Sequence, residues 1–324
     1  MTRLLLTGAT GFVGRNLLLK EVSRGTRIHV PVRDLPKLYG QLRQEGLDES
    51  LIEPLPVDPL KWPQLPVDRA ILCAGVLFAR NRNEYFETNV KWSTQILEAL
   101  PPGCETVVLS SQAAGGPTPK NAVARTEEHP DNPLTWYGRS KLAFEERLRD
   151  RFSGHNIKII RPPMVLGARD TATLPLFKMA AGILRIKPGL RPKEYSFIAV
   201  DDLVSGIDAA WGTSSIRPLY ISSERTITDW ELINTVAKSI RSRGVTIPLP
   251  QIVVKLCSML VDSIPALRDA APSLTRDRIR DIWPDRWVVD STAFRKATGW
   301  SCRLDLSDAI ESARDYYAGQ GLLR

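Results

Sequence analysis

The stretch RLLLTGATGFVG, residues 3–14, decides the fold. Arg3 to Thr7 is a compact apolar run of strand length. It meets Gly8-Ala-Thr-Gly11-Phe-Val-Gly14, after which residues 15–24 are amphipathic. Strand, glycine-rich turn and helix in that order is the context a dinucleotide fingerprint requires. The glycines let backbone N–H groups approach a pyrophosphate, and the helix start offers the positive end of its dipole. Gly8, Thr10, Gly11, Phe12, Val13 and Gly14 are therefore candidate cofactor contacts. The spacing is G-x-x-G-x-x-G, one residue longer between the first two glycines than G-x-G-x-x-G.

The pattern repeats outward from this start. Residues 27–32 form a second strand ending in Arg33-Asp34. A carboxylate there suits the ribose hydroxyl of NAD, and a guanidinium suits the 2′-phosphate of NADP. Arg33 comes first, so NADP(H) is favoured and NAD(H) is the alternative. A third strand, residues 51–56, runs into Asp58, placed to accept the adenine amino group or to serve a turn. A fourth, residues 69–72, leads into Cys73-Ala74-Gly75, small enough for close passage of the cofactor backbone. A long helix over residues 85–100 holds Asn89. The fifth strand, residues 106–109, ends at Ser110-Ser111, followed by Gln112-Ala113-Ala114-Gly115-Gly116-Pro117. Such alternation predicts a parallel sheet with helices on both faces and ligands beyond the carboxyl ends of its strands.

The polar, proline-containing residues 117–133 read as a mobile loop able to cover a site. LTWYGRSKLAFEE, residues 134–146, then reads as a helix in which Tyr137 and Lys141 stand four apart on one face. A phenol ordinarily titrates near pH 10, and a nearby ammonium favours its ionised form, which fits it for acid–base work. A sixth strand, residues 157–160, precedes Arg161-Pro162-Pro163, and residues 219–222 offer a seventh. Asp201 and Asp202 are expected to cap a helix opening at Val200, and Thr228-Asp229 another over residues 228–241; residues 306–320 form the last helix.

Composition excludes several classes. Four scattered cysteines and three scattered histidines show no metal-ligand spacing, so no metal site is expected. The net charge of +8 is dispersed, which points to solubility and an anionic ligand, with no nucleic acid partner. No apolar run reaches the length of a membrane span, and the first is cut at Gly8, so neither a transmembrane segment nor a secretory leader is expected and the compartment is read as cytoplasmic. The apolar residues 174–184 and 252–264 line a lipophilic pocket or belong to the core, the core being favoured. Arg185, Lys187, Arg191 and Lys193 are read as a solvated loop ahead of a phosphate or membrane contact.

Taken in order, the glycine loop, Asp58, Ser111, Tyr137-x-x-x-Lys141, Arg161-Pro162-Pro163, Val200-Asp201-Asp202 and Thr298-Gly299-Trp300 resemble the extended or atypical short-chain dehydrogenase/reductases. Within them the chain is most similar to the branch of 3β-hydroxysteroid dehydrogenase-like, dihydroflavonol reductase-like and epimerase-like proteins. The resemblance implies an α/β fold: a Rossmann-type doubly wound parallel sheet of about seven strands with a smaller, mostly helical C-terminal part. Residues 1–165, completed by about 196–222, would form the NAD(P)-binding domain. Residues 166–195 and 223–324 would bind a small-molecule substrate.

The resemblance also implies roles. Tyr137 would be the general acid or base, Lys141 would lower its pKa and hold the nicotinamide ribose, and Ser111, with Ser110 as its rival, would hydrogen-bond the substrate oxygen. Cys73, Ala74 and Gly75 would lie against the adenine-side ribose and Pro162 against the nicotinamide. Relatives also suggest a homodimer through the helices bearing Asn89 and Tyr137. Gln112 and Ala113 stand where sugar-nucleotide dehydratases carry an acidic pair, which disfavours dehydration. An NADP(H)-dependent carbonyl reductase or alcohol dehydrogenase is the first expectation, a nucleotide-sugar epimerase with tightly held NAD the second, and a non-catalytic dinucleotide-binding regulator the third.

Overall fold

Alternation along the first strand sets the layers. In β1 (Arg3–Thr7), Leu4 and Leu6 join one apolar cluster and Leu5 another, because successive side chains of a strand point to opposite faces. The computed structural model describes residues 3–213 and 217–323. Its strands β2 (Arg27–Pro31), β3 (Ile52–Leu55), β4 (Arg69–Leu72), β5 (Glu105–Leu109) and β6 (Ile157–Arg161) lie close to the expected boundaries. Next come β7 (Met164–Leu166), β8 (Leu184–Pro188), β9 (Glu194–Ala199) and β10 (Pro218–Tyr220). The last are β11 (Thr226–Thr228), β12 (Val245–Leu249) and β13 (Arg286–Trp287).

Seven strands form one sheet in the order β10-β6-β5-β4-β1-β2-β3, every pair parallel. This is a Rossmann-like α/β fold. The chain starts in the middle, at β1, and the winding reverses between β1 and β4, so the crevice for a ligand opens at their carboxyl ends.

Helices α1 (Phe12–Ser23) and α2 (Leu35–Gln44) cover one face. The other face carries a helix bent in three pieces, α3 (Arg82–Phe86), a π-helical turn (Glu87–Trp92) and α4 (Ser93–Glu98), in place of the single straight helix the periodicity predicts. The short α5 (Gln112–Gly115) and α6 (Trp136–Arg151) follow, and α6 packs Phe144 and Leu148 into the second face. Beyond the main sheet come α7 (Leu174–Ala181), α8 (Val200–Ala209), α9 (Asp229–Ser239), α10 (Gln251–Ser263), α11 (Pro265–Ala270), α12 (Thr292–Thr298) and α13 (Leu306–Gly319). A small sheet around β9 and a third apolar cluster, with Phe177, Phe197, Val236 and Tyr317, organise this part.

Four expectations are corrected. Asp201 and Asp202 do not cap α8, which has no side-chain cap; the Asp202 carboxylate accepts from the backbone N–H groups of Arg303 (3.1 Å) and Leu304 (2.8 Å) and so ties down the approach to α13. Residues 117–133 are anchored rather than loose: Thr118 and Arg125 bond the Val288 carbonyl, and Asp131 pairs with Arg161. Arg185, Lys187 and Lys193 are buried, not solvated, Lys187 against Asp229 at 2.9 Å. Residues 252–264 are mostly exposed helix rather than core.

Candidate active site

Two loops meet at the switch point because small residues let them. Gly8 sits at φ 72°, and a Cβ there would stand 2.8 Å from the Ala74 backbone; a Cβ on Gly14 would stand 2.0 Å from the Gly8 carbonyl oxygen. The Ala74 N–H donates to Thr7 Oγ1 at 3.1 Å, which locks the end of β1 to the end of β4. Gly11 caps α1 without a side-chain hydrogen bond, so the backbone N–H groups of the first helical turn have no side-chain competitor for an anion. Thr10, Phe12 and Val13 complete this cradle and are partly buried, with Gly11 exposed.

Along the same edge, Arg33 lies exposed just past β2 with no hydrogen bond or ion pair among the described residues. The neighbouring Asp34 carboxylate is occupied, accepting the Lys37 N–H at 2.9 Å as the cap of α2. Asp58, also exposed, caps a short turn through the Leu60 N–H at 3.1 Å. Read across the sheet, the candidate residues follow β5, β4, β1, β2 and β3 in order. Four strand spacings make that edge roughly 19 Å long. The array fits an extended dinucleotide laid along the carboxyl ends of the strands.

At the β5 end, α6 brings Tyr137 and Lys141 to Ser111. The Tyr137 phenol stands close enough to the Ser111 hydroxyl for Ser111 to favour its ionised form, and that hydroxyl itself caps α5 by accepting the Ala113 N–H at 3.1 Å. The Lys141 ammonium is buried and donates to the Leu109 carbonyl at 2.9 Å. A Cβ on Gly75 would come within 3.2 Å of this ammonium, so Gly75 keeps the space over it clear. Ser110 is turned away: it is buried and bonded to Glu145 in a network with Arg161, which holds Glu145 at 2.5 Å, Asp131 at 2.7 Å and the Tyr220 hydroxyl at 3.0 Å. Of the two rival serines, only Ser111 faces the phenol. Pro162 is buried beside them, its carbonyl accepting the Gln112 N–H at 2.8 Å.

Asn89 ties this corner together from the π-helical turn. Its side chain accepts the Val76 N–H at 2.8 Å and donates to Ser140 Oγ at 2.9 Å, joining the loop after β4 to α6. π-helical turns recur at functional sites for such re-aiming of a side chain.

The electrostatics differ from the simple helical pair. Burial pushes the Tyr137 phenol above its ordinary range, against the nearby Ser111 hydroxyl and the positive charge of Arg278. The cation standing on the phenol is thus Arg278, whose guanidinium carbon lies 5.4 Å from the Tyr137 ring centre and 5.4 Å from that of Phe78. Burial brings the Lys141 ammonium down to about 8, opposed by Cys73 and Glu145. Arg278 pairs with Asp281 at 3.1 Å, and burial raises the Asp281 carboxyl to about 6, with Arg278 and Thr135 pulling the other way. The start of α6 is held from the same turn: Asp277 accepts the Trp136 N–H at 3.0 Å, and Thr135, the helix cap, donates to Asp281 at 3.2 Å. Sequence reading missed Asp277, Arg278 and Asp281. They lie some 140 residues from Tyr137, and an arginine with an aspartate three residues on is common on any surface.

Residues 4–216 match the model of the NAD dependent epimerase/dehydratase family. The chain belongs to that family. As a family member it is an NAD(P)-dependent enzyme of the extended short-chain dehydrogenase/reductase group, acting on a CH–OH group. Over 323 residues it is 26% identical to the ceramide reductase of Caulobacter vibrioides, covering 98% of this chain and 95% of that protein. It is 27% identical to the UDP-glucose 4-epimerase of Azospirillum brasilense, but over 51% of this chain and 50% of that protein. Among solved structures it resembles UDP-glucuronic acid 4-epimerase from Bacillus cereus in complex with NAD, at 17% identity, a TM-score of 0.74, and coverage of 98% and 99% of the two chains. That likeness places this epimerase/dehydratase-family chain in the same fold. Among its described residues no helix is long and apolar enough to cross a membrane.

Proposed function

We propose that this chain reduces a carbonyl to a secondary alcohol, and oxidises in reverse, with NADP(H) as cofactor. The observation that carries the reading is the Tyr137 phenol set beside Ser111, with Lys141 one helical turn on, all at the carboxyl ends of β4 and β5 beside the glycine cradle. The nicotinamide, when bound, supplies or accepts the hydride. Gly8 to Gly14 and the start of α1 would hold its pyrophosphate, Arg33 the 2′-phosphate, Asp58 the adenine, and Ala74, Gly75, Lys141 and Pro162 the ribose and nicotinamide side.

Ser111 would orient the substrate oxygen, and its hydroxyl would stabilise the charge that grows there. The Tyr137 O–H would give up its proton to that oxygen in reduction and recover it from Lys141, whose lowered pKa suits an ammonium to passing a proton on near neutral pH. In oxidation the phenolate would take the proton, and Arg278 on its ring favours that form. Residues 166–195 and 223–324 would shape the substrate side.

Two features support reduction over epimerisation. The ceramide reductase sequence matches nearly end to end, whereas the sequence match to UDP-glucose 4-epimerase spans half its partner, and the end-to-end likeness to an epimerase structure, at 17% identity, speaks for the fold alone. Arg33 is free while Asp34 is engaged, which suits an exchangeable NADPH. Fluorescence titration tests this: NADPH should bind about tenfold or more tightly than NADH, and Arg33→Ala should erase the preference. Co-purification of NAD with redox-neutral turnover of a nucleotide sugar would replace the proposal by the epimerase reading.

A further inference from the structure

Two segments are built inside out. In β8 the cations Arg185 and Lys187 are buried, and Leu184 and Ile186 face solvent, 53% and 41% exposed. Strand β12 pairs with it in the register Val245↔Leu184 and Ile247↔Ile186, and those residues are 65% and 45% exposed. Directly paired residues share a face of a sheet, so four aliphatic side chains make one bare patch. Helix α10 repeats the inversion. Only Val254, Ser258 and Val261 are buried, while Ile252, Leu256, Met259 and Leu260 stripe the opposite, open face. A helix that merely covers a core shows the reverse, apolar inward and polar outward. Bare apolar surface on this scale marks a contact with something else.

The charge around it says what. Residues 174–193 and 240–263, which build β8, β12 and α10, contain eight lysines and arginines against one acidic residue, Asp262, which pairs with Arg268 and Arg276. Five of the eight, Lys178, Arg191, Arg241, Arg243 and Lys255, are exposed. An apolar face fringed mainly by cations, its one carboxylate already paired with arginines, complements an anionic bilayer, where aliphatic side chains enter the acyl boundary and cations meet headgroups. A second copy of the chain would instead set cations against cations.

The α10 end of this surface leads to the candidate active site. Asp269 of α11 lies 4.0 Å from Arg80 in the loop after β4, and the short turn Pro272–Leu274 packs between α10 and the turn that places Arg278 on Tyr137. We propose that β8, β12 and α10 form a docking shelf that seats the protein on an anionic membrane surface, with the cleft beside Tyr137 opening at the lipid. Its carbonyl substrate is then an amphiphile presented from the lipid layer, a part of the inference that rests on the reductase reading. The end-to-end similarity to a ceramide reductase points the same way.

Cosedimentation of the full chain with sucrose-loaded vesicles tests the shelf. The wild type should bind phosphatidylcholine vesicles containing about 30% phosphatidylglycerol, weakly bind pure phosphatidylcholine, and lose affinity as salt is raised from about 0.1 to 0.5 M. Leu256→Glu/Leu260→Glu on the helix and Ile186→Glu/Ile247→Glu on the sheet should each lower binding about tenfold or more with the thermal midpoint retained, and Tyr137→Phe should bind as wild type. Wild type left in the supernatant with both vesicles, or glutamate variants that bind like wild type, would overturn the proposal. So would a dimer in sedimentation velocity that the glutamates dissociate. Vesicle binding without Tyr137-dependent turnover keeps the shelf and removes the reductase; turnover of a short water-soluble ketone without vesicle binding does the opposite.

Discussion

At the scale of single residues, the candidate site sets opposing forces on two protons. Burial raises the Tyr137 phenol, and Arg278 and Ser111 hold it back. Removing the guanidinium in Arg278→Gln leaves only the Ser111 hydroxyl to oppose the burial. The pH at which alcohol oxidation turns on should then move upward, and the oxidation rate near neutrality should fall roughly tenfold. Initial rates across pH read this directly. Lys141 has the contrary sign. Its folded-state value near 8 lies below the ordinary 10.5, so below pH 8 the fold carries a desolvated ammonium, and stability rises between pH 8 and 10.5 as that ammonium loses its proton first in the folded chain. Lys141→Met should therefore abolish turnover yet stabilise the cofactor-free protein by about 1–3 kcal/mol at pH 7. Urea unfolding should show the gap closing toward pH 10.

At the scale of elements, α6 delivers both groups, and its beginning is fixed from a distance. Thr135 accepts the Gly138 N–H at 3.2 Å, and Asp277 accepts that of Trp136, so the helix start that carries Tyr137 hangs on a turn near the end of the chain. Asp277→Ala should cost about 1 kcal/mol of stability, the usual scale for a lost cap, but a larger share of kcat, because the phenol loses its register. Thermal melts beside steady-state kinetics separate the two.

The elements themselves were legible in the sequence where local pattern governs: β1, β4 and the Thr228 cap of α9 fall where periodicity and capping chemistry put them. The π-helical turn was not, since it answers to Asn89 bridging two other elements. Nor was the choice of Ser111 over Ser110 fixed by residue type, which depends on Glu145 and Arg161 claiming Ser110 from the opposite side.

Across the whole molecule, a parallel sheet begun at its centre puts every candidate cofactor contact on one edge, and the parts after residue 222 bring Arg278 and Asp281 over that edge. Such long-range meetings leave no periodic trace, which is why the fold was readable and half of the polar site was not. The buried pattern of Arg161 holds the assembly from beneath, joining β6, α6, the 117–133 segment and β10. Arg161→Met strands Glu145 in the interior, where burial already lifts its carboxyl, and should destabilise the fold by about 3–5 kcal/mol. Denaturant unfolding should show this as a lower midpoint with unchanged slope.

The central claim is that the Tyr137 phenol moves the proton. Single-turnover oxidation of NADPH with a saturating ketone should be about 10²- to 10⁴-fold slower in Tyr137→Phe, with NADPH affinity within about twofold of wild type. An unchanged rate in that variant would contradict the account.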